Sequence, residues 1–423
     1  MTMNENDELE VLGKPKKLSH REKGCLIFFC VVFILLVFIP AGIFSWVHGT
    51  DEEAALKETT IVDNLQHAVD SLLTEELEII NGLQGQAIVM EVETGRIFAM
   101  AGRERRFDGK FQSCRNFGYQ QEPGSTMKTV ALLALLETGE VSLDDEVDTE
   151  GGIWDVDERK MLDHNWHRGG YGKISLARAL EVSSNIGISK TIRKVFKGKE
   201  LKYYEMLDKM SFGKPGSIDG IKELKPMIFS SPKDSTWAST QLLWNSIGYE
   251  RLMAPIQMLT FYNAIANNGV MVKPTLRQDS IEIINPRIAS KENIRKMQVA
   301  LDHVVSQGLG MKAGTPILRV AGKTGTAQVG SIESGDMEII EYHVSFCGFF
   351  PADTPKYSII VSMNKLGLPA SGGGMAGVVF HNIVEWMLLH GMPQVSVLDD
   401  NGKVVSVREY LNQTEKTNNA GTD

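Results

Sequence analysis

The feature that most constrains this chain is an apolar run near its N-terminus. Residues 25–47 carry no charge and are almost all apolar. At about 1.5 Å per residue, a helix of this length spans roughly 35 Å, enough to cross the hydrocarbon core of a membrane. Lys and Arg cluster on its N-terminal side, and acidic residues follow at 51–53. The positive-inside rule therefore places residues 1–24 in the cytoplasm and the remainder of the chain outside.

A cleaved signal peptide is the alternative interpretation of this run. The run is longer than the core of most signal peptides, and no Ala-x-Ala site closes it. Pro40 is compatible with a membrane helix. We therefore expect an uncleaved, single-pass anchor in the cytoplasmic (inner) membrane, with the globular part on the periplasmic or external side.

Length and charge narrow the classes of protein further. A chain of 423 residues can bury one large core or two medium ones. The net charge of −9, with Lys and Arg scattered along the chain, gives no indication of nucleic-acid binding.

His164 and His167 have no partners at ligand spacing, so we expect neither a metal nor another cofactor. Cys114 and Cys347 could pair in an oxidising compartment, but their spacing leaves this open.

Beyond the anchor, the sequence divides into a linker, a domain and a tail. Residues 48–82 place apolar positions at helical spacing among acidic residues, which predicts a linker helix or a surface or partner-facing helix. Residues 83–395 form the globular domain, and residues 396–423 form a C-terminal tail whose polar last dozen residues are expected to be disordered. Strands are predicted at 86–92, 96–101, 317–328, 341–349 and 357–363. Helices are predicted at 175–192, 203–210, 254–268, 294–305 and 377–390. This order predicts an α+β fold, with helices flanking an antiparallel sheet and a helical subdomain.

The strongest chemical motif is Glu-Pro-Gly-Ser-Thr-Met-Lys at residues 122–128, followed by an apolar helix. Pro-Gly ends a loop well and Ser is a good N-cap, so the helix start is clearly marked. Residues three apart share one helix face, which brings the Lys128 amine within reach of the Ser125 hydroxyl. Burial lowers the pKa of a lysine, and a serine beside a neutral amine is an activated nucleophile.

The same spacing has an ordinary explanation, because Ser-x-x-Lys also describes a solvated helix start. The pattern recurs at 211–214, 230–233 and 362–365. Proline interrupts or follows the first two of these pairs, and the third lies on a predicted strand, where positions three apart face opposite sides. Only Ser125 and Lys128 combine a preceding turn with a helix.

Two further motifs decide between these explanations. Ser183-Ser184-Asn185 follows a helical run, and Lys323-Thr324-Gly325 lies on a predicted strand, where Gly325 would let a ligand backbone approach closely. A helix cap and a strand end with a solvated lysine are the ordinary explanations. All three motifs in this order, each on the expected element, indicate an acyl-transfer site.

The three motifs together resemble the transpeptidase domain of penicillin-binding proteins. The similarity runs from about residue 83 to residue 390, some three quarters of the chain. The opening hairpin at 93–100, the helix at 254–269 and the Lys-Thr-Gly-Thr-Ala-Gln run at 323–328 are similar to the monofunctional, division-type branch. The resemblance implies a penicillin-binding/serine β-lactamase-like transpeptidase fold and a peptidoglycan D,D-transpeptidase that β-lactams inhibit covalently.

The resemblance also implies roles for the matching residues. Ser125 would attack the penultimate D-alanine of a stem peptide ending in D-Ala-D-Ala, and Lys128 would take its proton. Ser183 would relay a proton to the leaving amine, while Asn185 would contact Lys128 and the substrate amide. Lys323 would keep the local field positive.

Backbone groups and hydroxyls complete the implied site. The N–H groups of Ser125 and Thr326 would form an oxyanion hole. Thr324, Gly325 and Thr326 would bind the terminal carboxylate. The implied partners are stem peptides, β-lactams, and a membrane glycan polymerase or other division-complex proteins.

The sequence departs from the family pattern in two places. Division-type members usually carry a sizeable non-catalytic domain before the transpeptidase, and here only residues 48–82 intervene. The family's Gly-Gln-Gly appears as Ile-Gly-Tyr at 247–249. The absence of a glycan-polymerising domain argues against a bifunctional enzyme.

Other functions remain open at this point. A D,D-carboxypeptidase or β-lactamase would use the same acylation and resolve it with water. A membrane β-lactam sensor needs a signalling domain that residues 1–24 do not offer, and a non-catalytic division scaffold would not need every chemical group present here. A role in division and a role in elongation, and hence in cell shape, are not distinguished.

Overall fold

The computed structural model describes residues 59–157, 159–218, 227–228, 232–233, 237–279, 281–334, 337–394, 396–398 and 403–410. The predicted cytoplasmic residues 1–24, the predicted anchor 25–47 and the last dozen residues of the predicted tail lie outside these ranges. Within the ranges, no helix is both long enough and apolar enough to span a membrane.

A six-stranded antiparallel sheet forms the centre of the fold. Its strands are β1 (Gly82–Glu91), β2 (Ile97–Arg105), β3 (Phe111–Ser113), β4 (Ala321–Ser334), β5 (Met337–Phe350) and β6 (Tyr357–Leu366). They lie side by side in the order β4-β5-β6-β1-β2-β3. The late strands therefore join the early hairpin through β6 and β1, which pair antiparallel from Gly82 opposite Lys365 to Glu91 opposite Tyr357. This arrangement leaves β4 on an edge of the sheet.

Nine α-helices of the described residues surround this sheet. They are α1 (Asp63–Ile79), α2 (Met127–Glu137), α3 (Leu176–Glu181), α4 (Asn185–Phe196), α5 (Glu200–Lys209), α6 (Ser239–Ser246), α7 (Pro255–Ala266), α8 (Lys291–Ser306) and α9 (Ala376–Leu389). Short paired strands lie between them at Glu146–Asp148 with Lys173–Ser175, Ile153–Val156 with Arg159–Leu162, Met227–Ile228 with Arg251–Leu252, and Met271–Val272 with Ile283–Asn285.

The two faces of the sheet carry separate hydrophobic cores. Ala87 and Val89 of β1 pack in the core that includes α1 and α9. Ile88 and Met90, which alternate with them, pack in the core that includes α2, α7 and the helical subdomain. Successive side chains of a strand point to opposite faces, so the near-continuous apolar run of β1 is buried on both sides.

Helix α1 corrects the predicted linker. The helix predicted within residues 48–82 spans Asp63–Ile79, and its buried stripe of Leu65, Val69, Leu73 and Leu77 covers β1 and β2. Residues at this spacing share one helix face, and here that face covers an apolar sheet surface. The folded unit therefore begins at Thr60, whose N–H donates to Leu276 O, rather than at residue 83.

The single helix predicted at 175–192 is in fact two helices. Helix α3 ends at Glu181 and α4 begins at Asn185. Between them Ser183 adopts a left-handed backbone with φ of 55°. Apolar periodicity continues across the break, so the sequence pattern alone did not reveal it.

The predicted tail is also partly folded. Residues Ser396–Leu398 and Val404–Ser406 form an antiparallel pair. Val407 is buried in the core with α1 and α9. Cys114 and Cys347 are both free thiols, so the disulfide that spacing left open is absent from the described residues.

Candidate active site

The nucleophile turn, residues 121–126, leads directly into helix α2. A 3₁₀ turn spans Gly124–Thr126, and α2 follows from Met127. The predicted helix start is confirmed, but no side chain caps it, so the predicted capping by Ser125 is wrong. Instead the Thr126 hydroxyl donates to Pro123 O at 2.8 Å. Ser125 lines the cleft, and its hydroxyl makes no hydrogen bond within the described part of the chain.

Lys128 lies one turn further along and is fully buried. Its Nζ donates to Ser183 O at 2.5 Å and lies 3.1 Å from Ser183 Oγ. Burial lowers the pKa of Lys128 to about 7, against a smaller opposing effect of the Asp163 carboxylate. A large fraction of this amine is therefore neutral at physiological pH.

Lys323 of β4 approaches the same hydroxyl from the opposite side. Its Nζ lies 2.9 Å from Ser183 Oγ and 2.9 Å from Thr324 O, and the side chain is fully buried. Burial, and next the charge of Lys128, lower the pKa of Lys323 well below its usual value. The three sequence motifs therefore meet at one hydroxyl, although the lysine expected to keep the field positive is itself pushed toward neutrality.

The position of Ser183 depends on a buried carboxylate. Ser184 caps α4 through a bond from Gly187 N to its Oγ at 2.9 Å. Asp163 accepts from Ser184 Oγ at 2.7 Å, from Asn185 N at 2.6 Å and from Ile186 N at 3.1 Å. The first backbone N–H groups of a helix lack partners within it. A carboxylate at this position accepts from them and is also attracted to the positive end of the helix dipole. Asp163 thereby fixes the start of α4 and the Ser183 turn that precedes it.

The hydrogen bond that Asn185 makes is not the one that was predicted. Its Nδ2 donates to Leu162 O at 2.7 Å. No hydrogen bond joins it to Lys128 among the residues that the structure describes, so that predicted contact is not formed here. Asn185 still lines the cleft.

An open cleft of about 410 Å³ joins these groups. The size falls within the range of small-molecule binding sites. Its lining includes the predicted site residues Ser125, Ser183, Asn185, Thr324 and Thr326. Tyr249 and Gln328, which belong to the runs at 247–249 and 323–328, also line the cleft. Further lining side chains that the motifs did not indicate are Asp163, His164, Trp166 and Tyr342.

Strand β4 presents alternate residues to the cleft and to the protein. Thr324 and Thr326 line the cleft, and the Thr326 hydroxyl accepts from Gly372 N at 3.1 Å, which leaves its proton free to donate to a ligand. Gly325 lies between them and faces the other way. A Cβ on Gly325 would lie 2.2 Å from Ser345 Oγ and 3.2 Å from Pro123 O. The close approach at this glycine is therefore made first by Ser345 of β5 and then by the nucleophile turn.

The described residues of the other Ser-x-x-Lys pairs do not line the cleft. Ser362 and Lys365 are on β6, where Lys365 Nζ donates to the backbone oxygens of Leu366, Gly367 and Pro369. Ser211 lies in a turn with φ of 56°, and Ser230 lies outside the described residues. Across the described ranges, no three His, Cys, Asp or Glu side chains are grouped so that they could hold a metal ion.

Residues 85–385 match the penicillin-binding protein transpeptidase domain. This match covers more than half of the chain. The chain belongs to the penicillin-binding protein transpeptidase family. The three motifs on which the sequence resemblance rested all lie within the matched residues, so the resemblance is confirmed.

Relatives in this family are only moderately similar. Penicillin-binding protein PbpB of Mycobacterium tuberculosis is 28% identical, covering 79% of this chain and 52% of PbpB. Stage V sporulation protein D of Bacillus subtilis is 28% identical, covering 71% of this chain and 48% of that protein. Peptidoglycan D,D-transpeptidase FtsI of Escherichia coli is 23% identical, covering 79% of this chain and 55% of FtsI. The chain spans about half the length of the curated relatives it matches.

A solved structure has the same fold. The transpeptidase domain of Burkholderia pseudomallei penicillin-binding protein 3 superposes with a TM-score of 0.66 at 24% identity, covering 80% of this chain and 97% of that domain. The predicted fold, an antiparallel sheet flanked by helices with a helical subdomain, is thereby confirmed for the penicillin-binding transpeptidase part of the chain.

Proposed function

We propose that the protein is a peptidoglycan D,D-transpeptidase that cross-links stem peptides through an acyl-enzyme on Ser125. The observation that carries this proposal is the Ser183 hydroxyl, which lies 3.1 Å from Lys128 Nζ and 2.9 Å from Lys323 Nζ. Burying two amines is costly, because burial disfavours their charged forms. A pair of buried amines around one hydroxyl, beside a serine in an open cleft, suits proton transfer better than a structural role.

In the acylation step, Ser125 Oγ attacks the carbonyl carbon of the penultimate D-alanine. The neutral Lys128 amine takes the hydroxyl proton as the new C–O bond forms. The Ser183 hydroxyl, which contacts both lysine amines, passes a proton to the leaving nitrogen as the C–N bond breaks. Terminal D-alanine departs, and the stem peptide remains as an ester on Ser125.

In the second step, an amine of a neighbouring stem peptide attacks this ester. The same groups act in reverse: Ser183 and Lys128 receive the amine proton, and Ser125 Oγ leaves with a proton. The new C–N bond is the cross-link. β-Lactams carry a strained amide in place of the D-Ala-D-Ala bond and leave a long-lived ester on Ser125.

The strand β4 side of the cleft binds the substrate. The N–H groups of Ser125 and Thr326 form the oxyanion hole, a contribution whose loss in other enzymes costs about 10²–10³ in rate. The hydroxyls of Thr324 and Thr326, beside Lys323, bind the terminal carboxylate. Gly325 contributes by letting the nucleophile turn pack against β4, since even a Cβ there would meet that turn.

The test is mass spectrometry of the full-length protein in detergent after treatment with benzylpenicillin. We expect a single adduct on the peptide that contains Ser125, retained for many minutes, and none in Ser125→Ala. An adduct elsewhere, or intact drug with no adduct, would overturn the proposal. Release within seconds would instead favour a β-lactamase.

Transpeptidase and carboxypeptidase activities differ in the second nucleophile. Incubating the protein with a stem peptide that ends in D-Ala-D-Ala, with and without an acceptor amine, separates them. We expect cross-linked peptide to form at the expense of hydrolysis when the amine is present. Hydrolysis alone would indicate a D,D-carboxypeptidase, and no turnover with normal growth of Ser125→Ala cells would indicate a scaffold role.

We also propose that residues 25–47 anchor the protein in the cytoplasmic membrane, with the cleft on the outer side. The length of the uncharged run supports a membrane span, and the cationic residues before it support this orientation. The proposed protein partners are a membrane glycan polymerase or other division proteins. Labelling of single introduced cysteines with a membrane-impermeant reagent tests the orientation. A cysteine introduced after the anchor would react in intact spheroplasts, and one introduced within residues 1–24, which contain none, would not.

A further inference from the structure

A buried histidine lies directly behind the nucleophile turn. His343 of β5 is only 4% exposed and has no role in the chemistry described above. Its Nδ1 lies 2.9 Å from Glu122 O, and its Nε2 lies 2.8 Å from Ser362 Oγ. Gln121 Nε2 donates to the same Ser362 Oγ at 2.8 Å. Two consecutive residues of the nucleophile turn are thereby bound to the sheet.

The partners of His343 fix the positions of its protons. A carbonyl oxygen can only accept, so Nδ1 carries the proton that it donates to Glu122 O. Ser362 Oγ accepts from Gln121, and its own proton is then available to Nε2. Each group in this chain has one defined role when the imidazole is neutral.

The surroundings of His343 favour the neutral form. Apolar side chains that border the same small cavity include Met258, Pro255 and Ile360. The other polar side chains that line it are uncharged: Gln121, Thr126, Ser345 and Ser362. Burial lowers the pKa of His343 to about 4, against the opposing effect of the bond to Glu122 O. One tautomer therefore persists throughout the physiological range.

The hydrogen bond from His343 Nδ1 to Glu122 O connects the nucleophile turn to the sheet, close to strand β4, which lines the cleft. In the sheet, His343 lies opposite Ala327 of β4, next to Thr326. Glu122 O is three residues before Ser125. Other bonds hold the turn to its helical side: Gly124 N donates to Gly248 O at 3.2 Å, and Tyr262 OH donates to Thr126 O at 2.9 Å. His343 holds the turn from the sheet side, so its hydrogen bond helps to fix the distance between the backbones of Ser125 and Thr326.

We propose that His343 is a positioning residue for acylation, which holds the nucleophile turn in register with β4 through the carbonyl of Glu122. The proposal rests on the proposed acylation of Ser125. Groups that must meet in a transition state lose about 100-fold in rate when they are misplaced by roughly 1 Å. Loss of this bond should therefore slow the chemical step and leave initial binding in the cleft almost unchanged.

The experiment compares three variants of the full-length protein in detergent. His343→Leu removes both hydrogen bonds, and His343→Gln keeps an amide that can donate to Glu122 O and accept from Ser362. His381→Leu is the matched control, because His381 Nδ1 makes an equivalent 2.8 Å bond to a carbonyl, Gly314 O, and does not line the cleft. Stopped-flow acylation with a chromogenic β-lactam separates the dissociation constant from the acylation rate constant.

We expect His343→Leu to lower the acylation rate constant by about 10- to 100-fold with less than about a 3-fold change in the dissociation constant. His343→Gln should recover most of the rate, and His381→Leu should match the wild type. Equal rates for His343→Leu and the wild type would overturn the proposal, as would a Gln variant as slow as the Leu variant. A loss confined to the dissociation constant would overturn it as well.

A second variant keeps the test decisive if His343→Leu does not fold. Ser362→Ala leaves the bond to Glu122 but removes the partner of Nε2 and of Gln121, so we expect a folded protein with a smaller loss of acylation rate. Its melting temperature should fall, because two buried polar groups lose a hydrogen-bond partner. An unchanged rate would count against the proposal. Failure of the wild type itself to form an adduct on Ser125 is a separate result, and it would refute the proposed function instead.

Discussion

At the scale of single residues, the site is built around a strained serine rather than around the nucleophile. Ser183 has a positive φ, which is uncommon for a residue other than glycine and costs of order 1–3 kcal/mol. The conformation is held by Ser184, the cap of α4, and by the three bonds to Asp163. It allows the hydroxyl to meet lysines from two distant parts of the chain.

The first prediction concerns the pH dependence of acylation. Only the neutral amine of Lys128 can accept the Ser125 proton, and burial lowers its pKa to about 7. The acylation rate constant should therefore rise with pH and reach half of its plateau near pH 7. Measurements with a fluorescent penicillin from pH 5.5 to pH 9 test this, and a profile that is flat between pH 6 and pH 8 would contradict it.

The second prediction concerns the charge of Asp163. Its carboxylate raises the pKa of Lys128, so Asp163→Asn should lower that pKa and move the half-plateau of the acylation rate to lower pH. The amide keeps the acceptor for the N–H groups of Asn185 and Ile186. Asp144→Asn, an exposed carboxylate that does not line the cleft, is the control. If the pH of half-maximal acylation stays the same or rises in Asp163→Asn, the Asp163 carboxylate does not raise the pKa of Lys128.

At the scale of elements, the nucleophile turn is held by close backbone packing. Gly248 follows α6 with φ of 97°, and a Cβ there would lie 1.9 Å from Gly124 O. The Ile-Gly-Tyr run at 247–249 thus keeps a glycine at the position where one is sterically required. Gly124 itself has φ of 56°, and a Cβ on it would lie 3.0 Å from Thr326 O.

The third prediction separates this contact from the general cost of a positive φ. Gly198→Ala places a Cβ in open space at φ of 77°, so it should cost about 1–2 kcal/mol without affecting acylation. Gly248→Ala adds a clash with backbone, so it should cost at least about 3 kcal/mol and slow acylation by about 10-fold or more. Denaturant unfolding and acylation kinetics measure both. Equal effects of the two substitutions would show that the turn can move aside without loss.

At the scale of the whole molecule, α1 belongs to the folded unit. Four of its side chains, Leu65, Val69, Leu73 and Leu77, are fully buried against the sheet. At about 2 kcal/mol for each buried side chain, this helix contributes on the order of 8 kcal/mol before the entropy of ordering it. That is comparable with the total stability of a typical domain, about 5–15 kcal/mol.

The fourth prediction follows from this comparison. A chain that begins at residue 60 should unfold cooperatively and form the penicillin adduct on Ser125. A chain that begins at residue 83 exposes the apolar face of β1 and β2, so it should aggregate or fail to bind the drug. Circular dichroism melting and labelling with a fluorescent penicillin compare the two. A stable, reactive chain from residue 83 would restore the predicted domain boundary.

The sequence predicted five of the six strands of the central sheet and most of the helices to within a few residues, because these elements follow local periodicity and glycine or proline positions. It did not predict β3, α6 or the short paired strands. It failed at the break between α3 and α4, where both segments are apolar at helical spacing and Asp163 decides where the second helix begins. At Gly325 the sequence predicted close approach of a ligand backbone, and it did not reveal that Ser345 and the nucleophile turn also lie close to this glycine.

By itself, the sequence determined the three motifs, their order and the helix and strand that carry the first and the last of them, since the spacing of a serine and a lysine on one helix is local information. Only the tertiary structure decided that Ser183 is the hydroxyl between both amines, that Asp163 fixes it, and that His343 contacts the nucleophile turn. Glu122 and His343 are separated by 221 positions. Contacts at that separation depend on strand order and register in the complete sheet, which no local pattern in the chain encodes.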